Sequence, residues 1–274
     1  MKLLVLILSI FAVGLCKDNF EVLFEIPDSA IQALTPSNDA YVPCTDEKYM
    51  YCQNQFNSFI GYTGSWIDPV SLRHAIYSKY SQGVNGLLNL CHARTQLYLC
   101  FGTEYETCTS RIQFIKKGAN STNAYQISGL FNSLDFECSG GIIQATENWP
   151  CIYSTWHSDP YNSATTTCLA AFYNNSLNTA DQVCLAGQTL AKCFALTFVS
   201  APPPCNVPDL NWWECERILN AFQFDGNCQK IKCTVMGGGS SFVSNYNVES
   251  GSDYYKLKAA LHRPSHGHEH DKFE

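Results

Sequence analysis

The spacing of apolar residues predicts helices along most of the chain. Between Pro69 and Tyr80, Leu72, Ala75, Ile76 and Tyr80 fall at i, i+3, i+4 and i+8, one face of a helix. Leu87, Leu90, Cys91, Leu97, Tyr98 and Phe101 continue that period, and residues 124–138 and 180–198 follow it less regularly. The clearest helix comes after Pro208, where Trp212, Cys215, Ile218, Leu219 and Phe222 recur at helical spacing. Asp209 is placed to cap its start and Gly226 to end it. Cys215 on that stripe points to a buried disulfide tying the helix to the core. Trp213 lies off the stripe, beside Glu216, Arg217 and Asn220, so its indole either covers a neighbouring loop or stands exposed as a contact residue. Residues 20–26 differ: Phe20, Val22, Phe24 and Ile26 alternate as in a short strand.

The apolar run Leu3–Leu15 follows a single Lys2 and is too short to span a bilayer. With Gly14 and Cys16 at the −3 and −1 positions of a cut, residues 1–16 read as a secretory signal peptide. No other apolar run reaches that length and no lipidation or retention motif closes the C-terminus, so no membrane span is expected. Export changes the meaning of the cysteines. Of 15, all but Cys16 remain: Cys44, Cys52, Cys91, Cys100, Cys108, Cys138, Cys151, Cys168, Cys184, Cys193, Cys205, Cys215, Cys228 and Cys233. An even number in an exported chain predicts up to seven disulfides, whose pairing spacing alone does not give. None of the gaps is the tight C-x2-C of structural zinc sites, and no cofactor is expected.

The cysteines also divide the chain. An N-terminal arm, 17–43, has none; residues 44–233 hold all of those that follow the signal peptide; residues 234–274 again have none and open on Gly237-Gly238-Gly239-Ser240-Ser241, a flexible linker composition leading to a His-rich tail. The fold class expected is mainly α, a disulfide-rich helical domain with a flexible C-terminal tail. An internal echo, Cys91-x5-Leu97-x2-Cys100-Phe101 against Cys184-x5-Leu190-x2-Cys193-Phe194, suggests two similar helical halves. Cysteines nine apart on a helix face opposite sides, so each pair would reach different neighbours.

Composition narrows function. The chain is 46% hydrophobic, enough to build a core, and its formal charge of −7 argues against nucleic acid as a partner. No G-x-S-x-G or H-E-x-x-H occurs, and oxidised cysteines leave no thiol nucleophile. His157 with Asp159 and a serine is the one triad that residue types allow. His266, His268 and His270 alternate in the tail and offer a weak copper- or zinc-chelating set. Two sequons, Asn120-Ser121-Thr122 and Asn174-Asn175-Ser176, predict N-glycosylation at Asn120 and Asn174. Ser250 lies between acidic residues in Glu249-Ser250-Gly251-Ser252-Asp253, a context suited to glycosaminoglycan attachment. Ala201-Pro202-Pro203-Pro204-Cys205 is the one rigid candidate for an inhibitory loop.

Phe136-Glu137-Cys138-Ser139-Gly140-Gly141, Asn148-Trp149-Pro150-Cys151-Ile152, Trp212-Trp213-Glu214-Cys215-Glu216-Arg217 and the closing pair Cys228 and Cys233 resemble a family of nematode secreted cysteine-rich proteins, known as "domain of unknown function nineteen". The resemblance covers about residues 44–233. It implies a helical, disulfide-bonded, often N-glycosylated extracellular domain with no established activity, and supplies no catalytic or ligand residues. The expectation is therefore a secreted, monomeric, non-catalytic protein that binds an extracellular protein or glycan or serves structurally. The alternatives are a small proteoglycan core carrying its chain on the tail, and a secreted protease inhibitor or effector.

Overall fold

Helix follows helix from Asp46 to Asn220 in the computed structural model, which describes residues 30–31, 43–223, 228 and 231–233. In chain order these are α1 (Asp46–Ile60), α2 (Pro69–Tyr80), α3 (Val84–Phe101), a 3-10 turn (Gly102–Glu104), the short α4 (Tyr105–Cys108) and α5 (Arg111–Lys116), α6 (Ser121–Glu137), α7 (Ile142–Trp156), α8 (Asp159–Tyr173), α9 (Ala180–Val199) and α10 (Pro208–Asn220). No strand occurs among the described residues. The strand expected at 20–26, the stop at Gly226, Ser250 and the tail histidines His266, His268 and His270 all lie outside the described residues.

Starts are set by side chains that accept backbone N–H groups left without intrahelical partners. Asp68 accepts from Val70 and Ser71, Ser110 from Gln113, Asn120 from Asn123, Ser158 from Tyr161 and Thr179 from Gln182. The expected cap of the last helix is corrected. Val207 is the N-cap of α10, Pro208 occupies the first turn, and Asp209 lies one residue inside it. Proline fits there because its missing N–H would have had no partner.

The seven disulfides pair Cys44 with Cys108, Cys52 with Cys100, Cys91 with Cys138, Cys151 with Cys205, Cys168 with Cys193, Cys184 with Cys228 and Cys215 with Cys233. Their order reveals a duplication. Within 44–138 the first cysteine bonds the fifth, the second the fourth and the third the sixth. Within 151–228, with Cys215 set aside for its own bridge to Cys233, the same order recurs. Six cysteines allow 15 pairings, so the coincidence carries weight. Helix pairs agree with it: α1 packs on α3 in the first copy as α8 packs on α9 in the second. Cys-x3-Phe occurs on α1 (Cys52, Phe56) and on α8 (Cys168, Phe172), with all four residues buried. Along α3 and α9, Leu90, Ala93, Leu97 and Phe101 match Val183, Ala186, Leu190 and Phe194, again all buried. The expectation of opposite neighbours holds, since Cys91 and Cys100 reach Cys138 and Cys52, while Cys184 and Cys193 reach Cys228 and Cys168.

The copies have diverged at their second contact. Arg94 on α3 pairs with Asp135 on α6, whereas Gly187 takes the Arg94 position on α9 and Phe222 packs directly over it. α10 accordingly lies along α9 more closely than α6 lies along α3. α6 turns instead to α10, and the Ser133 hydroxyl donates to the Arg217 carbonyl at 2.8 Å across that junction. One continuous core results: Ala30 and residues from both copies belong to it, and the described residues fall within one compact unit. α9 is long and apolar enough to cross a membrane, contrary to the expectation that no other apolar run reaches such length. Two disulfides and packing on both α8 and α10 make it the central helix of the second copy.

Candidate functional site

The strongest concentration of ionisable groups is buried where the two copies meet. α10 brings Glu214 and Arg217 inward, α6 brings Glu137, α2 brings Tyr77 and Tyr80, α7 brings Trp156 and α8 brings Tyr161, all of them buried. Arg217 grips Glu214 with two parallel bonds, Nε to Oε2 at 2.9 Å and Nη2 to Oε1 at 2.8 Å. The same carboxylate accepts from the Trp156 indole N–H at 3.1 Å and from the Tyr161 hydroxyl at 2.6 Å. Arg217 also donates to the Tyr77 hydroxyl at 3.3 Å and lies 4.9 Å above the Trp156 ring. Glu137 sits 4.0 Å from the guanidinium and accepts a short hydrogen bond from Tyr80.

These contacts leave the two carboxylates unequal. Glu214 is fully engaged by charge and by neutral donors. Burial pushes the Glu137 carboxyl up to about 7, and Arg217 and the Tyr80 hydroxyl only partly oppose that shift. Burial likewise holds the Tyr80 and Tyr161 phenols well above their ordinary range. Trp149, Trp156 and Trp213 pack around the cluster with Tyr80. Every member of the cluster is buried.

The sequence candidates are scattered rather than assembled. Trp213, read as a possible contact residue, is corrected: it is completely buried, and its indole N–H donates to the Gly141 carbonyl at 2.9 Å. The side of α10 that looked solvent-facing is a second interior face, enclosed by α6 and α7, with Arg217 and Asn220 buried on it. His157 is exposed at the end of α7, where its Nδ1 lies 2.7 Å from the Tyr153 carbonyl and its ring packs 4.1 Å from that of Tyr153. Ser158 donates to the Thr155 carbonyl and caps α8. Asn120 and Asn174 are both exposed at helix ends, where a glycan has room. The Pro202–Pro204 segment is exposed but folds into a turn closed by the Cys205 N–H on the Pro202 carbonyl at 2.9 Å.

Accessible chemistry lies on the outer face of the antiparallel pair α1 and α3. Tyr51 is 66% exposed and Leu99 65%, and they flank an open depression of about 470 Å3 lined also by Lys48, Gln55, Gln96 and Cys100. At the other end of the same face stand Phe59 and Leu88, with the Phe59 ring edge-on to His92 at 5.8 Å. Charge is withdrawn from the face: Lys48 is held at 2.9 Å by Glu104, whose carboxyl that bond and the Thr45 N–H keep below the usual range. The second copy supplies an internal comparison. Counting from the matched cysteines, Thr167, Ala171, Asn175, Asp181, Leu185, Thr189 and Lys192 replace Tyr51, Gln55, Phe59, Leu88, His92, Gln96 and Leu99. Only Leu185 is large and apolar at those seven positions, while Tyr173, Leu196 and Val199 are exposed elsewhere on α8 and α9, so the two copies place their exposed apolar residues differently.

The buried cluster and this face were both missed by sequence reasoning. A signal for the cluster exists in Phe136-Glu137-Cys138 and Trp213-Glu214-Cys215, where a carboxylate is wedged between an aromatic residue and a stapled cysteine. The face carries no such mark, because Tyr51 and Leu99 become neighbours only when Cys52 and Cys100 are joined. No family model, curated protein or solved structure matches the chain, so the likeness noted above stands on its quoted residues alone.

Proposed function

We propose that this is an exported, non-catalytic binding module that engages an extracellular protein partner through the outer face of α1 and α3. The observation that carries the reading is the asymmetry between the two copies: one helical pair exposes Tyr51, Phe59, Leu88 and Leu99, and its counterpart has polar or small residues at the same places. Aromatic and aliphatic side chains kept in water on a rigid support are the usual material of an interface centre. Rigidity here comes from the Cys52–Cys100 bridge beneath the face and from the Cys44–Cys108 bridge at its end. Seven disulfides support an oxidising, extracellular setting. Export and the resemblance to nematode secreted cysteine-rich proteins point the same way.

The reading is tested with secreted protein and a Tyr51→Ser, Leu99→Ser double variant, both immobilised and exposed to extracellular fluid under amine cross-linking. A protein retained by the native chain, with cross-links mapping to α1 or α3, and lost from the double variant is the expected result. Equal retention by both, or retention by neither, contradicts it.

A further inference from the structure

The buried cluster holds two carboxylates and a single guanidinium in direct contact with them. Arg217 and Glu214 neutralise each other in a bidentate pair, so an ionised Glu137 shares a guanidinium already committed to another carboxylate. Its surroundings can be enumerated by element. From α2 come the Tyr80 hydroxyl, which donates to it, and Tyr77, on which Arg73 also acts. α10 contributes Arg217 at 4.0 Å and Glu214, whose charge disfavours ionisation of Glu137. From α8, the Tyr161 hydroxyl is committed to Glu214. α7 presents the indoles of Trp149 and Trp156 around Tyr80. The cations of α3 and α5 are directed elsewhere, Arg94 to Asp135 at 2.5 Å and Arg111 over the Tyr125 ring at 4.9 Å.

We infer that this cluster is a proton-operated clasp between the two copies of the repeat: with a proton on Glu137 the junction is tight, and loss of that proton sets a second carboxylate charge against the one guanidinium that touches both and loosens it. Position makes the effect structural rather than local. Tyr77, Tyr80 and Glu137 belong to the first copy, whereas Trp156, Tyr161, Glu214 and Arg217 belong to the second, so the cluster spans the seam. Burial raises the Glu137 carboxyl from 4.5 to about 7. A group raised in the folded state stabilises fully below its unfolded value, and the stabilisation declines as pH rises through the folded value. The protein therefore gains stability on passing from mildly alkaline to mildly acidic solution, the reverse of acid denaturation. An exported chain with this device holds its halves most firmly in an acidic compartment.

The test is thermal unfolding of the intact, oxidised chain between pH 5.5 and 8.5, with Glu137→Gln and Glu216→Gln beside it. Glu216 is the needed comparison: its carboxyl is also pushed up to about 7 by burial, although it faces the Cys233 N–H and not the seam. The native protein is expected to melt about 5 °C higher at pH 5.5 than at pH 8.5. Glu137→Gln, which keeps an acceptor for Tyr80, removes about half of that difference, Glu216→Gln removes a similar share, and the double variant loses most of it. A flat or reversed native profile overturns the inference, as does a slope that Glu137→Gln leaves unchanged. Should that variant fail to fold, carboxyl carbon NMR on the native protein decides: titration of Glu137 near neutrality supports the clasp, and titration below pH 5 overturns it.

Discussion

Trp213 shares its helix with Glu214 and Arg217, and all three point into the interior although only the first is apolar. A pattern of hydrophobic positions reads Glu216, Arg217 and Asn220 as a polar side and leaves the indole beside them, off the apolar stripe. The structure shows the opposite, because each charge on that side meets its partner inside: Arg217 meets Glu214 one turn away and Tyr77 from a distant helix. Burial of such a pair is tolerated when geometry is good and the remaining polar atoms are satisfied. Trp213 completes the enclosure, packing on Phe136 and Trp156 while its N–H serves Gly141. Trp213→Ala should therefore cost about 3–5 kcal/mol, the range for removing a large buried aromatic side chain. Guanidinium unfolding and the yield of secreted protein measure it; an unchanged midpoint with normal yield would contradict the packing described.

Helix ends carry a second prediction. Asn120 is at once the N-cap of α6 and the acceptor residue of a sequon. The two roles use different atoms, since Oδ1 accepts from the Asn123 N–H at 2.7 Å and a glycan would be linked through Nδ2. Thr122→Ala should abolish glycan mass at this site and leave the cap in place. Asn120→Ala should abolish both and cost a further ~1 kcal/mol of stability. Mass spectrometry and denaturation of the two variants separate the effects, and equal stabilities would refute the capping role. These elements also show what the sequence made readable. Helices α2, α3, α6, α9 and α10 follow from apolar period, and the fold class follows from them. Five helices escaped that reading, the short α4 and α5 and three longer ones, the latter for physical reasons. In α1 the buried stripe Tyr49, Cys52, Phe56 and Ile60 is interleaved with the buried polar residues Gln53 and Asn57, the latter bonded to the Trp66 indole and the Gly64 carbonyl. α7 contains Pro150 beside a kink at Asn148, and proline reads as a breaker. α8 has a threonine run with low intrinsic helix preference, accommodated where the Thr165 hydroxyl bonds back to the Tyr161 carbonyl. The clasp was less legible still, because the partners Tyr77 and Arg217 lie 140 positions apart.

For the whole molecule, the duplicated disulfide order explains how a chain with few charges and many small polar residues holds a large helical fold. Each bridge closes a loop of the unfolded chain and contributes about 2–4 kcal/mol. Three of them confine each copy, and the seventh, Cys215–Cys233, fastens the last helix to the segment beyond it. No bridge crosses the seam between copies: the first set ends at Cys138 and the second begins at Cys151. Among the described residues, cohesion across it includes the Ser133 hydroxyl on the Arg217 carbonyl, the Trp156 and Trp213 indoles against Tyr80 and Phe136, and the acid–arginine cluster. That division of labour places covalent stiffness under the exposed face of α1 and α3 and leaves the junction responsive to protonation. The most direct measurement is disulfide mapping of the secreted, unreduced protein by proteolysis and mass spectrometry. The account predicts Cys44–Cys108, Cys52–Cys100 and Cys91–Cys138 in one half, Cys151–Cys205, Cys168–Cys193 and Cys184–Cys228 in the other, and Cys215–Cys233. A bridge joining a cysteine of 44–138 to one of 151–233, or a free thiol among the fourteen, would contradict both the repeat and the extracellular scaffold built on it.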